Sequence, residues 1–130
     1  MKTKSRLSIL TILAFTLFIP SCDEKDNDIF PALNTLAAND ADIGSTTATL
    51  KGEVTDPGNM RILEYGIEIS KTIIFSPSTK GKIDGAPSPG IFEIQFTGLT
   101  PNTKYYFKAY ALINTAEYYA PGYLSFTTKQ

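Results

Sequence analysis

Leu99-Thr100-Pro101-Asn102-Thr103-Lys104-Tyr105-Tyr106-Phe107-Lys108-Ala109-Tyr110-Ala111 opens with turn-forming residues and passes directly into an alternating run. Read with a period of two, Tyr105, Phe107, Ala109 and Ala111 occupy one face of a strand, and Lys104, Tyr106, Lys108 and Tyr110 the other. The first set suits a core and the second suits water. The stretch therefore predicts a strand with one buried face, entered through a tight turn.

The flanking sequence repeats this pattern. Downstream, Leu112 to Glu117 reads as a turn, and Tyr118 to Thr128 as a last strand with Leu124 and Phe126 inward. Upstream, Ile91 to Phe96 places Phe92, Ile94 and Phe96 inward, with Leu99 completing the entry to the turn. Ser76 to Gly90 holds three prolines and three glycines and reads as loop, with one brief strand near Lys82 to Asp84. Thr72 to Phe75 reads as a short extra strand. Ile62 to Ser70 alternates most cleanly, with Leu63, Tyr65, Ile67 and Ile69 on one side and Glu64, Gly66 and Glu68 on the other. Before it, Asp56-Pro57-Gly58-Asn59 is a tight turn, because Pro presets φ at the first central position and Gly accepts positive φ at the next. Thr46 to Thr55 is a strand with Ala48, Leu50, Gly52 and Val54 on one face, and Leu33 to Ala38 a weaker one. Short β-rich runs punctuated by Gly, Pro, Asn and Asp, with no helical period, indicate an all-β sandwich or barrel.

The run Leu99-x-Pro101-x-Thr103-x-Tyr105 resembles the tyrosine corner of fibronectin type III domains, in which the Tyr hydroxyl bonds back to nearby backbone. With Thr46 to Gly52, Glu64-Tyr65-Gly66, Phe92 to Leu99 and Ser125 to Thr128 in this order, residues 32 to 130 resemble the fibronectin type III-like domains of bacterial surface lipoproteins. The resemblance implies a seven-stranded immunoglobulin-like β-sandwich in which Leu99, Pro101, Thr103 and Tyr105 are structural. It departs at one point. Animal fibronectin domains usually carry a Trp in the second strand; this sequence has none, and Gly52 stands at about that place, leaving Tyr65 and Phe92 to fill the centre of the core.

Residues 1–21 read as a signal peptide: Lys2, Lys4 and Arg6 precede an apolar run from Leu7 to Ile19, short for a membrane span of roughly 20 residues. Ile19-Pro20-Ser21-Cys22 resembles a bacterial lipobox, which implies lipidation of Cys22; a lone Cys has no internal disulfide partner. Residues 22–31 follow as an acidic tether, with Asp23, Glu24, Asp26 and Asp28 and little to bury. Such acids after the Cys resemble the export tag of some Gram-negative surface lipoproteins, implying an outer-membrane protein exposed at the cell surface, with a periplasm-facing spacer as the alternative. Loss of the signal segment leaves nine basic against thirteen acidic residues, which argues against a nucleic-acid partner.

The composition excludes most catalytic chemistry. Without His, and with its only Cys assigned to lipid, the chain lacks the commonest general base, zinc ligand and thiol nucleophile. Glu64 and Glu68 share a strand face but stand about 13 Å apart along it, beyond the roughly 5 to 9.5 Å of paired-carboxylate glycosidases. Asp40 and Asp42 lack the Gly and distal Glu of an EF-hand loop. No enzyme, cofactor or metal is expected. The remaining candidate is a binding face: Tyr106 and Tyr110, joined by Tyr119 and Tyr123 from the next strand and by Lys108, on the outside of one sheet. Tyr offers a flat apolar body with a polar tip, suited to protein or glycan; the same residues equally suit cross-strand stabilisation of an exposed sheet. Two functions follow: a lipid-anchored binding or adhesion module, or a structural accessory of an outer-membrane complex that packs through its last strand as an edge.

Overall fold

The computed structural model describes residues 27–130. The signal peptide, Cys22 and the first part of the tether lie outside the described residues. Among the described residues, eight antiparallel strands form two sheets packed face to face in an immunoglobulin-like β-sandwich. The smaller sheet orders β1 (Ala32–Thr35), β2 (Ala48–Asp56) and β5 (Gly90–Phe96). The larger orders β4 (Thr79–Asp84), β3 (Ile62–Ser70) and β6 (Lys104–Ile113), whose far edge is shared by β7 (Ala116–Tyr119) and β8 (Leu124–Thr127).

The eighth strand arises because the expected last strand is cut in two. Pro121 has no N–H to donate and Gly122 turns to φ 69°, so pairing lapses between Ala120 and Leu124. Ala120 still donates its N–H to the Ala109 carbonyl at 2.9 Å, and the Ala109 N–H is taken by Thr35 Oγ1 of the facing sheet, also at 2.9 Å.

Other expectations change as well: Leu124, expected inward, is 37% exposed, and the turn expected over Leu112 to Glu117 narrows to Asn114 and Thr115 between β6 and β7. A bulge between Ile62 and Glu64 resets the phase of β3, so that Ile62 enters the core and Leu63 is left 38% exposed. Thr72 to Phe75 is a turn closed by the Phe75 N–H on the Thr72 carbonyl at 3.2 Å, not a strand. The segment read as loop contributes a full six-residue β4, because its glycine permits close approach where the composition suggested a break. A Cβ on Gly81 would lie 2.2 Å from Ile94 Cγ2 of the opposing sheet.

The core is built from the inward positions of both sheets, with Leu50, Val54, Ile67, Phe107 and Ala109 fully buried. The space over Gly52 is filled as expected. Phe92 is paired across from Gly52, and its ring lies where a Gly52 Cβ would be, 2.3 Å from Cζ. Tyr65 meets Phe92 edge to face, with ring centroids 5.1 Å apart.

At the corner, the Thr100 N–H donates to the Tyr105 hydroxyl at 2.9 Å, and the Tyr105 ring stacks on Phe126 at 5.5 Å. Asn102 takes φ 48°, Thr103 Oγ1 donates to the Pro101 carbonyl, and the Leu99 N–H reaches across to the Thr46 carbonyl. Thr128 Oγ1, buried in the chain's last turn of pairing, donates to the Thr100 carbonyl and accepts from the Thr103 N–H. Tyr105→Phe removes one of these bonds without changing the packing. Its expected cost is about 1 kcal/mol, read from the shift of the urea midpoint; an unchanged midpoint would mean the hydroxyl contributes nothing.

Candidate functional site

The outer face of the larger sheet brings the predicted residues together and then closes over most of them. Lys108 stands opposite Glu68 in the β3–β6 register, with Nζ 3.7 Å from Glu68 Oε2. The ammonium is held between two rings, 3.8 Å from the centroid of Tyr119 and 4.1 Å from that of Phe75. Glu68 is only 4% exposed; Oε1 accepts from Ser78 Oγ at 2.6 Å, while Oε2 has no hydrogen-bond partner among the described residues. Lys108 is thus the counter-charge of a buried carboxylate and is not free to meet a ligand.

Tyr110 lies on the expected face but is fully buried there. Its hydroxyl donates to Glu64 Oε1 at 2.9 Å, and Lys80 covers its ring at 5.2 Å. Burial, reinforced by Glu64, pushes the Tyr110 hydroxyl well above the usual tyrosine range. Tyr119, 6.3 Å from Tyr110 between ring centroids, donates to Glu117. Glu117 is also paired with Lys80, which together with Tyr119 holds its carboxyl below the ordinary range. Alternation gives the direction in which a side chain points and not what lies above it. Here the cover is Phe75, Ser78 and Lys80, which come from the turn and the loop-like segment that follow β3.

The four tyrosines therefore separate into a closed pair, Tyr110 and Tyr119, and an open one. Tyr106 is half-buried and Tyr123 is 48% exposed; their rings meet edge to face at 5.6 Å, with Phe75 behind Tyr123 at 6.2 Å. Ile113 is in the core, and Tyr118 is stacked on Phe30 at 4.4 Å, where it holds the incoming N-terminal segment. Asp40 and Asp42 lie in a 3-10 turn and pair with Lys129 and Lys51, at 3.5 and 3.4 Å.

Sequence reasoning missed the opposite pole of the sandwich from the point where the chain enters. Entry is fixed at the β2–β3 turn: Ile29 and Asn59 exchange hydrogen bonds, and Asn59 Nδ2 donates to the Asn27 carbonyl. β3 runs from that turn to the other end, roughly 30 Å away. There the β3–β4 loop (71–78) and the β5–β6 loop (97–103) part over a cleft of about 530 Å³. Ile69, Phe96, Leu99 and the Tyr105 ring form its apolar floor. Lys71, Thr72, Ser78, Thr97 and Thr100 form its walls, and Lys71 Nζ donates to Thr100 Oγ1 at 2.9 Å. Beside it, Ile73 and Ile74 project from the loop tip, Ile74 being 76% exposed. The adjacent Ile73-Ile74 pair in a turn was the one signal in the sequence for an exposed apolar tip.

No protein-family model matches the sequence, and no curated protein matches it. Solved structures do. The sensor domain of the anti-sigma factor RsgI4 of Pseudobacteroides cellulosolvens, in a short form, superposes with TM-score 0.59 at 18% identity, over 76% of this chain and 94% of that one. A longer form gives 0.58 at 19% identity over 77% and 90%, and the solution structure of the sensor domain gives 0.58 at 17% over 77% and 76%. At this identity the likeness is one of fold: the chain shares an immunoglobulin-like β-sandwich with these sensor domains.

Proposed function

We propose that the protein is a lipid-anchored, non-catalytic binding module of the bacterial cell envelope. A fibronectin type III-like sandwich is carried on the acidic tether behind a lipidated Cys22, at the outer-membrane surface, and engages a protein or glycan through the pole remote from the tether. The observation that carries this reading is the polarity of the fold. The N-terminal segment is fastened to Asn59 and Tyr118 at one end, while the cleft, the Ile73-Ile74 tip and the Tyr106–Tyr123 pair gather toward the other. A module tethered in this way presents its open end outward. That similarly folded domains serve as sensors in another protein is compatible with a recognition role. The accessory reading, through the last strand as an edge, is less well served, because that edge is interrupted between Ala120 and Leu124.

Two experiments test the proposal. Cys22→Ser is expected to abolish incorporation of a labelled fatty acid and to shift the protein from the membrane fraction to the soluble one; a processed variant that stays membrane-bound without lipid contradicts the anchor. Offered to arrays of glycans and envelope proteins, the wild type is expected to be retained by at least one class. Tyr106→Ala/Tyr123→Ala is expected to lower that retention at least tenfold with its unfolding transition nearly unchanged. Undiminished retention would move the binding site away from this end. Tyr110→Ala is no substitute for this test, since it would open a buried site and report on folding.

A further inference from the structure

We propose that the cleft at the remote pole binds a carboxylate-bearing sugar of the uronic acid type, with Lys71 as the partner of the carboxylate; this rests on the binding-module reading and names the ligand class of its site. The first support is charge. Lys71 is the only charged side chain that lines the cleft, and no carboxylate lines it. Lys51, Lys80, Lys82, Lys108 and Lys129 each sit within salt-bridge distance of an Asp or Glu, whereas Lys71, like Lys104 outside the cleft, forms no such pair among the described residues. Its ammonium spends one N–H on Thr100 Oγ1 and keeps two for a ligand. A single lysine, without an arginine fork or a helix N-terminus beside it, suits a monoanionic carboxylate better than a phosphate dianion.

The second support is the wall. Thr79 and Thr97 bring hydroxyls with no partner among the described residues, which both donate and accept and so match the hydroxyls of a sugar better than the chain of an aliphatic acid, whereas the Thr72 and Ser78 hydroxyls are committed to Ser76 and Glu68. The third is the floor. Phe96, Leu99 and Tyr105, each less than a tenth exposed, close the bottom of the cleft with apolar edges, and the Lys71 ammonium stands 5.9 Å from the centroid of the Tyr105 ring, in a cleft whose 530 Å³ falls within the roughly 300 to 1,000 Å³ of small-ligand sites. The cleft is also held in shape. Ser70 Oγ donates to the Pro77 carbonyl at 2.6 Å and accepts the Thr72 N–H at 3.1 Å, which braces one loop, while Tyr105 braces the other through Thr100.

The test is calorimetric titration of the full chain, solubilised in mild detergent, with trisaccharides of galacturonic and of glucuronic acid, their neutral hexose counterparts, and hexanoate. At least one uronic acid trisaccharide is expected to bind at least tenfold more tightly than its neutral counterpart and than hexanoate. Lys71→Met, at an exposed position, is expected to remove that preference with an unchanged melting temperature, and Lys104→Met, on a lysine outside the cleft, to leave it intact. Equal affinity for acidic and neutral sugars, tighter binding of hexanoate, retention of the preference by Lys71→Met, or absence of uronate binding would each overturn the proposal. The binding module itself is tested separately, by array retention and its dependence on Tyr106 and Tyr123, so the ligand class can fail while the module stands.

Discussion

Lys108→Met is expected to destabilise the protein by about 3 kcal/mol, the lower end of the range for breaking a buried ion pair. The magnitude follows from which partner is buried. Glu68 is almost wholly removed from water, and without Lys108 its Oε2 faces neither a donor nor a counter-charge, while Lys108 itself keeps some contact with solvent. Met preserves the stem that packs between Phe75 and Tyr119, so the loss reports the charge more than the packing. Adding Glu68→Gln should recover most of the stability, because a neutral amide no longer requires the ammonium. Urea denaturation of the two single variants and the double variant measures this. A loss under 0.5 kcal/mol for Lys108→Met would place the pair among exposed salt bridges, worth about 0 to 1 kcal/mol, and would reopen Lys108 as a ligand contact.

Phe92→Ala is expected to cost about 3–5 kcal/mol, as for other buried aromatic deletions, because its ring occupies the space above Gly52 and carries the edge-to-face contact with Tyr65. Gly52→Ala in the wild-type background places a methyl 2.3 Å from Phe92 Cζ and should cost about 1–3 kcal/mol by overpacking. With Phe92 already truncated, the same methyl enters open space, and Gly52→Ala should become neutral or slightly stabilising. The coupling between the two positions should therefore exceed about 1 kcal/mol. Additive effects would mean that the ring does not depend on the glycine. The strand glycine is thus explained by a ring supplied from the neighbouring strand.

These two sites also show what a sequence of this kind makes legible. Gly52, Tyr65 and Phe92 are readable because the period of two assigns faces, and a missing large residue must be replaced by another within reach. The corner is readable because Pro101, Thr103 and Tyr105 each have a local role within a few residues. β4 is less so: Gly81 and three prolines in the surrounding segment signal a break by composition, whereas in the fold Gly81 allows β4 to pack closely against Ile94 and Phe96. That shortfall propagates to function. The chain between β3 and β4, with the start of β4, brings Phe75, Ser78 and Lys80 over the outer face, so a set of side chains that points outward becomes partly an interior of its own. The cleft is invisible from periodicity altogether, because it depends on the separation of two loops distant in sequence.

The direction in which the molecule meets its partner is tested most directly by photo-crosslinking in living cells, with a photoreactive amino acid placed in turn at Ile74 on the remote tip and at Ala116 on the β7 edge, whose pairing with Ile113 puts it toward the tethered end. Adducts to a partner protein or glycan are expected from position 74, with none of comparable yield from position 116. Adducts confined to position 116 would contradict recognition through the remote pole and would make the protein a subunit that packs by its edge.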